Sequence, residues 1–309
     1  MSSPKGTSSL PVPSEIKGCL VVLPCVDSDE LGAIRRSELD VSREYAAALG
    51  VSAGRAIEEG HYFAEEGQRV DWSEAIRSAR VAKRSIAPGD SLPENARPPI
   101  VETRITVSNE TTLGAGHRLT TAGFRPLALN FANGVSPGGG FLGGARAQEE
   151  VLCRSSGLYA TLRGDHMYDV HRRQESDDSS DWAILSPDVP VFRSDAGTTL
   201  GSPWPLSFIT CAAPYAPSVG QPRSGDLLQA RIHRVFQIAR AYGYKTLVLG
   251  AWGCGAFAND PGRTARDFRA ALQSQFEGSF DQVVFAIADW SRDRRFLGPF
   301  RDVFVGGLS

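Results

Sequence analysis

Apolar residues recur along this chain in two periods, and the change of period marks its elements. From Ser42 the spacing is helical, and "REYAAALG" ends on Gly50, a candidate helix stop. A second helical segment is expected from about Gly54 to Glu66. The Pro-, Gly- and Asn-containing stretch "APGDSLPENARPP" (87–99) reads as loop. Apolar and polar residues alternate through "IVETRITVS" (100–108), which predicts a strand, and 110–123 predicts a helix with Gly123 near its end. "RPLALNFAN" (125–133) is nearly all apolar, as a strand buried on both faces must be. "QEEVLCRSSGLYATL" (148–162) places Val151, Ser155, Leu158 and Leu162 at helical steps and predicts one helix. The polar run 171–181 is surface loop, and "WAILSPDVPVFRS" and "PLSFITCAAP" are further strands.

The clearest unit follows. Over 225–242, Leu228, Ile232, Val235, Ala239 and Tyr242 share one helical face, and Gly243 stops the helix. "KTLVLGA" is a buried strand. "DPGRTARDFRAALQSQ" is a helix with Asp260 as N-cap, Pro261 in its first turn, and Ala265, Phe268 and Leu272 facing inward. "DQVVFAIAD" (281–289) closes with a strand. Helices between buried strands predict an α/β sandwich around a mostly parallel or mixed sheet. Ligands of such sheets sit at the carboxyl ends of the strands. Residues 1–17, rich in Ser and Pro, are expected to be disordered; 1–40 form an N-terminal extension and 41–309 a single domain.

Composition narrows the function classes. The 309 residues carry a net charge of −2, so no bulk attraction to nucleic acid or anionic membrane is predicted. Five cysteines with no CxxC pair read as reduced thiols in an intracellular protein, cytoplasmic, or nuclear in a eukaryote. The five histidines lack metal-binding spacing, so no metal is expected. The apolar run "CLVVLPC" (19–25) is too short to span a bilayer.

Two glycine-rich stretches lie where a strand ends. In "NFANGVSPGGG" a strand finishes near Asn133 and opens into Gly138, Gly139 and Gly140. Successive N–H groups on such a loop form a concave anion site. In "LGAWGCGAFANDP" (249–261), Gly250, Gly253 and Gly255 precede a capped helix, whose N-terminus also favours an anion. Neither stretch has the spacing of an NTPase P-loop or of a dinucleotide-binding turn. Together they suit a diphosphate held from both sides, and Trp252 and Phe257 offer faces for a ribose or base. Gln148, Glu149 and Glu150 follow the first loop at a helix start. Neighbours on a helix diverge by ~100°, so the two carboxylates should not share one role.

The order "LNFANGVSPGGGFLGGARAQEE", "CRSSGLY", "LVLGAWGCGAFANDP" resembles the bacterial and fungal-type poly(ADP-ribose) glycohydrolases, macrodomain enzymes with a GGG-x(6–8)-QEE pattern. Here seven residues separate Gly140 from Gln148, and the resemblance covers roughly residues 45–295. It implies a macrodomain-like three-layer α/β/α sandwich with a central mixed sheet and an added N-terminal helical segment. It implies hydrolysis of ribose–ribose O-glycosidic bonds, mainly from chain ends, with ADP-ribose released, without a cofactor or metal, by a monomer. Residue by residue, Glu150 would be the catalytic acid, Glu149 would position ribose hydroxyls and Gln148 would support the loop. Asn133 would contact the distal ribose, and Gly138, Gly139 and Gly140 would lie against it and the diphosphate. Gly253, Cys254, Gly255 and Ala256 would wrap the diphosphate from the other side, and Phe257 would orient the ribose.

Two alternatives stay open on sequence. One is release of single ADP-ribose units from modified protein or nucleic acid. The other is a macrodomain that binds ADP-ribose without cleaving it. The glutamate pair argues against the second, because a reader has no chemical need for it.

Overall fold

The computed structural model describes residues 19–95 and 100–306. The disorder expected of residues 1–17 falls outside them, as does the end of the 87–99 loop. The strands are β1 (Cys19–Val22), β2 (His61–Phe63), β3 (Arg69–Asp71), β4 (Arg84–Ile86), β5 (Glu102–Ser108), β6 (Pro126–Ala132), β7 (Ala183–Arg193), β8 (Thr199–Ala212), β9 (Thr246–Leu249) and β10 (Gln282–Ala286). The helices are α1 (Asp29–Leu39), α2 (Arg43–Glu59), α3 (Ser73–Ala82), α4 (Thr112–Thr121), α5 (Gln148–Ser155), α6 (Leu158–Leu162), α7 (His166–Arg172), α8 (Ala216–Val219), α9 (Arg223–Ala241), α10 (Pro261–Gln273) and α11 (Leu297–Phe304).

Eight strands form one sheet in the order β1-β5-β10-β9-β6-β8-β7-β4, while β2 and β3 pair separately. Every neighbour from β1 to β8 is parallel, and β7 runs antiparallel to both β8 and β4. The sheet is therefore mixed, as expected. Its strands are apolar on both faces because both are covered. Leu127 and Leu129 of β6, with Leu247, Leu249, Val283 and Phe285, meet α9, α10 and α11 through Ile232, Val235, Phe268 and Phe300. Ala128, Val248 and Val284 meet α4 to α7 through Leu113, Leu119, Leu152 and Met167. Each fully buried Leu or Phe contributes roughly 1.5–3 kcal/mol of transfer free energy. The result is the three-layer α/β/α sandwich that the sequence predicts.

A third apolar cluster joins α2, the β2–β3 hairpin and α3 to the sandwich. Tyr62, Trp72 and Ile76 pack with Phe192 of β7, and Trp72 Nε1 donates to Ala56 O at 2.9 Å. Within the stretch read as an extension, β1 pairs with β5 at the sheet edge and α1 follows.

Three local expectations are corrected. Gly50 does not stop a helix: α2 runs to Glu59, and Gly60, at φ +71°, ends it. A Cβ on Gly50 would stand 2.4 Å from Phe141 O, so this glycine permits close approach of two segments. The second helical segment therefore stops before Glu66, and the chain turns into β2. The helix expected over 148–162 is two helices. Ser156 is extended and Gly157 donates its N–H to Pro190 O at 2.8 Å, a sheet contact that a continuous helix would forfeit. Among the described residues no helix is long and apolar enough to cross a membrane.

Candidate active site

A cleft of about 450 Å³ opens at the carboxyl ends of β5, β6, β9 and β10. Asn133, Gln148, Glu149 and Glu150 line one wall; Gly253, Gly255, Ala256 and Phe257 line another. The two sequence signals, distant in the chain, thus share one cavity.

Gln148 joins α5 to β6. Its Oε1 accepts from Phe131 N at 2.9 Å, and its Nε2 donates to Leu129 O at 2.8 Å and Thr112 Oγ1 at 3.1 Å. This fixes the start of the helix that carries the glutamates. Glu149 is buried, and both its oxygens have partners: Oε2 accepts from Asn133 N at 2.7 Å, and Oε1 from Asn130 Nδ2 at 3.3 Å. Burial, with the Glu150 charge beside it, pushes its pKa up to about 8, against the pull of those donors. Glu150 is also buried; Gly140 N donates to its Oε1 at 3.0 Å, and its Oε2 has no partner among the described residues.

The glycine triad backs the carboxylates. A Cβ on Gly139, which sits at φ +56°, would stand 2.3 Å from Glu150 Oε1 and 3.1 Å from Glu149 Oε2. Only glycine fits there, on both backbone and space. Gly138, Gly139 and Gly140 do not themselves line the cleft, and the N–H groups of Gly139 and Gly140 are taken by Ser136 O and Glu150. The Asn133 side chain shapes the same loop: its Oδ1 accepts from Val135 N and Ser136 N, each at 2.9 Å.

The second loop is different. Ala258 N and Asn259 N bond back to Gly255 O and Gly253 O, but the N–H groups of Gly253, Gly255, Ala256 and Phe257 make no hydrogen bond among the described residues. Four unpaired donors precede α10, whose N-cap Asp260 accepts from Arg263 N at 2.7 Å. That is the chemistry of an anion site. The expectation of two N–H-presenting glycine loops is thus met by one, because the first spends its donors on the protein's own oxygens. Cys254 turns its thiol inward, 3.4 Å from Trp252 O, and burial pushes its pKa up to about 12. Its side chain is not part of the cleft wall. Trp252 is wholly buried in the core, though it borders the cleft, whereas Phe257 is half-buried and packs edge-on to Tyr215.

The pattern of residues 52–194 matches the family model described as microbial-type PARG, catalytic domain. The poly(ADP-ribose) glycohydrolase from Thermomonospora curvata is 40% identical, over 84% of this chain and 100% of its own, with a TM-score of 0.79. This chain belongs to the poly(ADP-ribose) glycohydrolase family. A second structure of the Thermomonospora glycohydrolase, bound to the inhibitor ADP-HPD, is similar at 39% identity, 84% and 100% coverage and a TM-score of 0.78. The Deinococcus radiodurans glycohydrolase in complex with ADP-ribose is 36% identical over 76% of this chain and 98% of its own, with a TM-score of 0.67. No match was found among curated proteins.

Two residues at this glycohydrolase site, one in the cleft and one behind it, are absent from the sequence reading. Asp195, in the turn between β7 and β8, lines the cleft; Thr111 Oγ1 donates to its Oδ2 at 2.6 Å, and burial pushes its pKa up to about 6. Nothing in the polar sequence "SDAG" separates it from a surface turn. Asn130, which holds Glu149, did leave a signal: it is the lone polar side chain inside the apolar run of β6.

Proposed function

We propose that this chain hydrolyses the ribose–ribose O-glycosidic bonds of poly(ADP-ribose), mainly from chain ends, and releases ADP-ribose. The observation that carries the assignment of roles is the asymmetry of the glutamates. Both Glu149 oxygens are engaged, whereas Glu150 keeps Oε2 without a partner. Glu150 is the general acid and base, and Glu149 positions ribose hydroxyls.

The diphosphate lies against the free N–H groups of Gly253, Gly255, Ala256 and Phe257, with the Phe257 ring on the distal ribose. Asn133 closes on the same ribose, and the Gly138–Gly140 loop backs the carboxylates from outside the cleft. Glu150 gives a proton to the leaving ribose oxygen as oxocarbenium character builds on the sugar. Water then attacks, and ionised Glu150 takes its proton. A cleft of about 450 Å³ is the size for one nucleotide-sized unit, which supports attack at a chain end. The complexes of the relatives with ADP-ribose and with ADP-HPD support the same ligand class.

The test is to incubate the protein with labelled poly(ADP-ribose) and, side by side, with mono-ADP-ribosylated protein. The expected outcome is free ADP-ribose from the polymer at the greater rate. Release from the mono-modified protein alone would overturn the polymer assignment, and release from neither would overturn hydrolysis.

A further inference from the structure

β6 is apolar except for Asn130, which is wholly buried at its centre. A buried amide is unfavourable unless hydrogen-bonded, so its presence needs a cause. Asn130 is in register with Thr210 on the adjoining strand β8. Its Nδ2 stands 3.2 Å from Thr210 Oγ1 and 3.3 Å from Glu149 Oε1, while its Oδ1 has no partner among the described residues. Thr210 is itself wholly buried.

We propose that Asn130 is a positioning residue that holds Glu149 in both of its charge states by turning its amide, with Thr210 as the fixed partner of that turn. With Nδ2 toward Glu149, the amide donates to an ionised carboxylate and to Thr210 Oγ1. Turned by half a revolution, it puts Oδ1 in the same place. There Oδ1 accepts from a protonated Glu149 carboxyl and from the Thr210 hydroxyl. A hydroxyl can donate or accept, so Thr210 follows either state. One end of the amide lacks a partner each way; what changes is the charge state that is matched.

Both states fall in the working range. Glu150 and Cys153 face Glu149 from α5, and Tyr168 faces it from α7. Burial raises the thiol and the phenol well above their ordinary values, so both are neutral. Glu149 itself keeps its proton to about pH 8.

This inference rests on the hydrolytic reading of the glutamate pair. Its test is the pH dependence of kcat/KM on poly(ADP-ribose) for wild type, Asn130→Leu and Asn130→Asp. The profile reports ionisations of the free enzyme. Both substitutions remove the amide from both charge states, and since a bond to the ionised carboxylate is the stronger one, its loss outweighs the other and raises the proton affinity of Glu149. The expected result is an alkaline limb moved up by about one pH unit, a tenfold gain in proton affinity. kcat falls with it, while ADP-ribose binding by calorimetry changes little. Asn130→Leu suits the apolar surroundings and decides the matter if the aspartate variant does not fold. A limb at the wild-type pH in a folded variant, with or without loss of kcat, would overturn the proposal. No ADP-ribose release by wild type at any pH would defeat the hydrolytic reading instead.

Discussion

Glu149 and Glu150 are one peptide unit apart, yet their surroundings separate them. Glu149 keeps its proton to about pH 8 when folded, against 4.5 for the ordinary side chain. Between those values the folded state binds more protons than the unfolded one. Stability from this group is therefore full below pH 4.5 and lost as pH rises toward 8, at up to about 1.4 kcal/mol per pH unit. Urea unfolding at pH 5, 7 and 9 should show that decline in wild type and a shallower one in Glu149→Gln; equal declines would contradict the burial argument. Gly139→Ala should cost stability, about 1–2 kcal/mol for the left-handed backbone alone, and should also displace the Glu150 carboxyl and lower activity at least tenfold. Phe257→Ala should lower kcat/KM with little change in melting temperature, since this ring is only half-buried; a large fall in melting temperature would make it a core residue. Much of the site is legible in "GGGFLGGARAQEE", because one short segment supplies both the carboxylates and the backbone beside them. The destination of the glycine N–H groups is not legible, since a glycine run serves an outside anion or an inside carboxylate equally well. Asp195 is hidden for another reason: a long hairpin brings it to the cleft.

At the scale of elements, strands and long helices follow their periods closely. β6, α9 and α10 fall where apolar spacing and caps put them, because each buries a face against the sheet. The misreadings share one cause, which is that a glycine has more than one use. Gly123 and Gly243 take positive φ after their helices and act as stops. Gly50 lies inside α2 for contact with Phe141, and Gly157 lies where α5 must end for contact with Pro190 and Ile76. Such contacts are long-range and leave no local pattern. A helix-interior Gly→Ala change normally stabilises by about 1 kcal/mol. Gly50→Ala should reverse that sign and destabilise by about 1–3 kcal/mol, since its Cβ meets backbone behind the glycine loop. Thermal unfolding checks this; a raised melting temperature would show that the loop can move aside. The three-residue strands β2–β4 carry too few residues for a period to stand out, and packing on Phe192 and the sheet edge defines them.

Taken whole, the molecule is a doubly covered sheet whose strand ends bring two loops to one cleft, the β6 loop with the carboxylates and the β9 loop with the free N–H groups. We propose that one ligand with a diphosphate and a terminal ribose engages both motifs, which lie more than a hundred residues apart in sequence and share a cavity in space. The fold class follows from sequence because strand and helix periods alternate; the convergence of the loops follows only from the sheet order, which no local pattern encodes. On this proposal binding and chemistry are separable, with the β9 loop for the first and Glu150 for the second. The decisive measurement pairs calorimetry of ADP-ribose binding with release of ADP-ribose from labelled polymer, in wild type and Glu150→Gln. The account predicts that the variant binds ADP-ribose with an affinity close to wild type and releases none from polymer. Turnover near the wild-type rate in Glu150→Gln would contradict it.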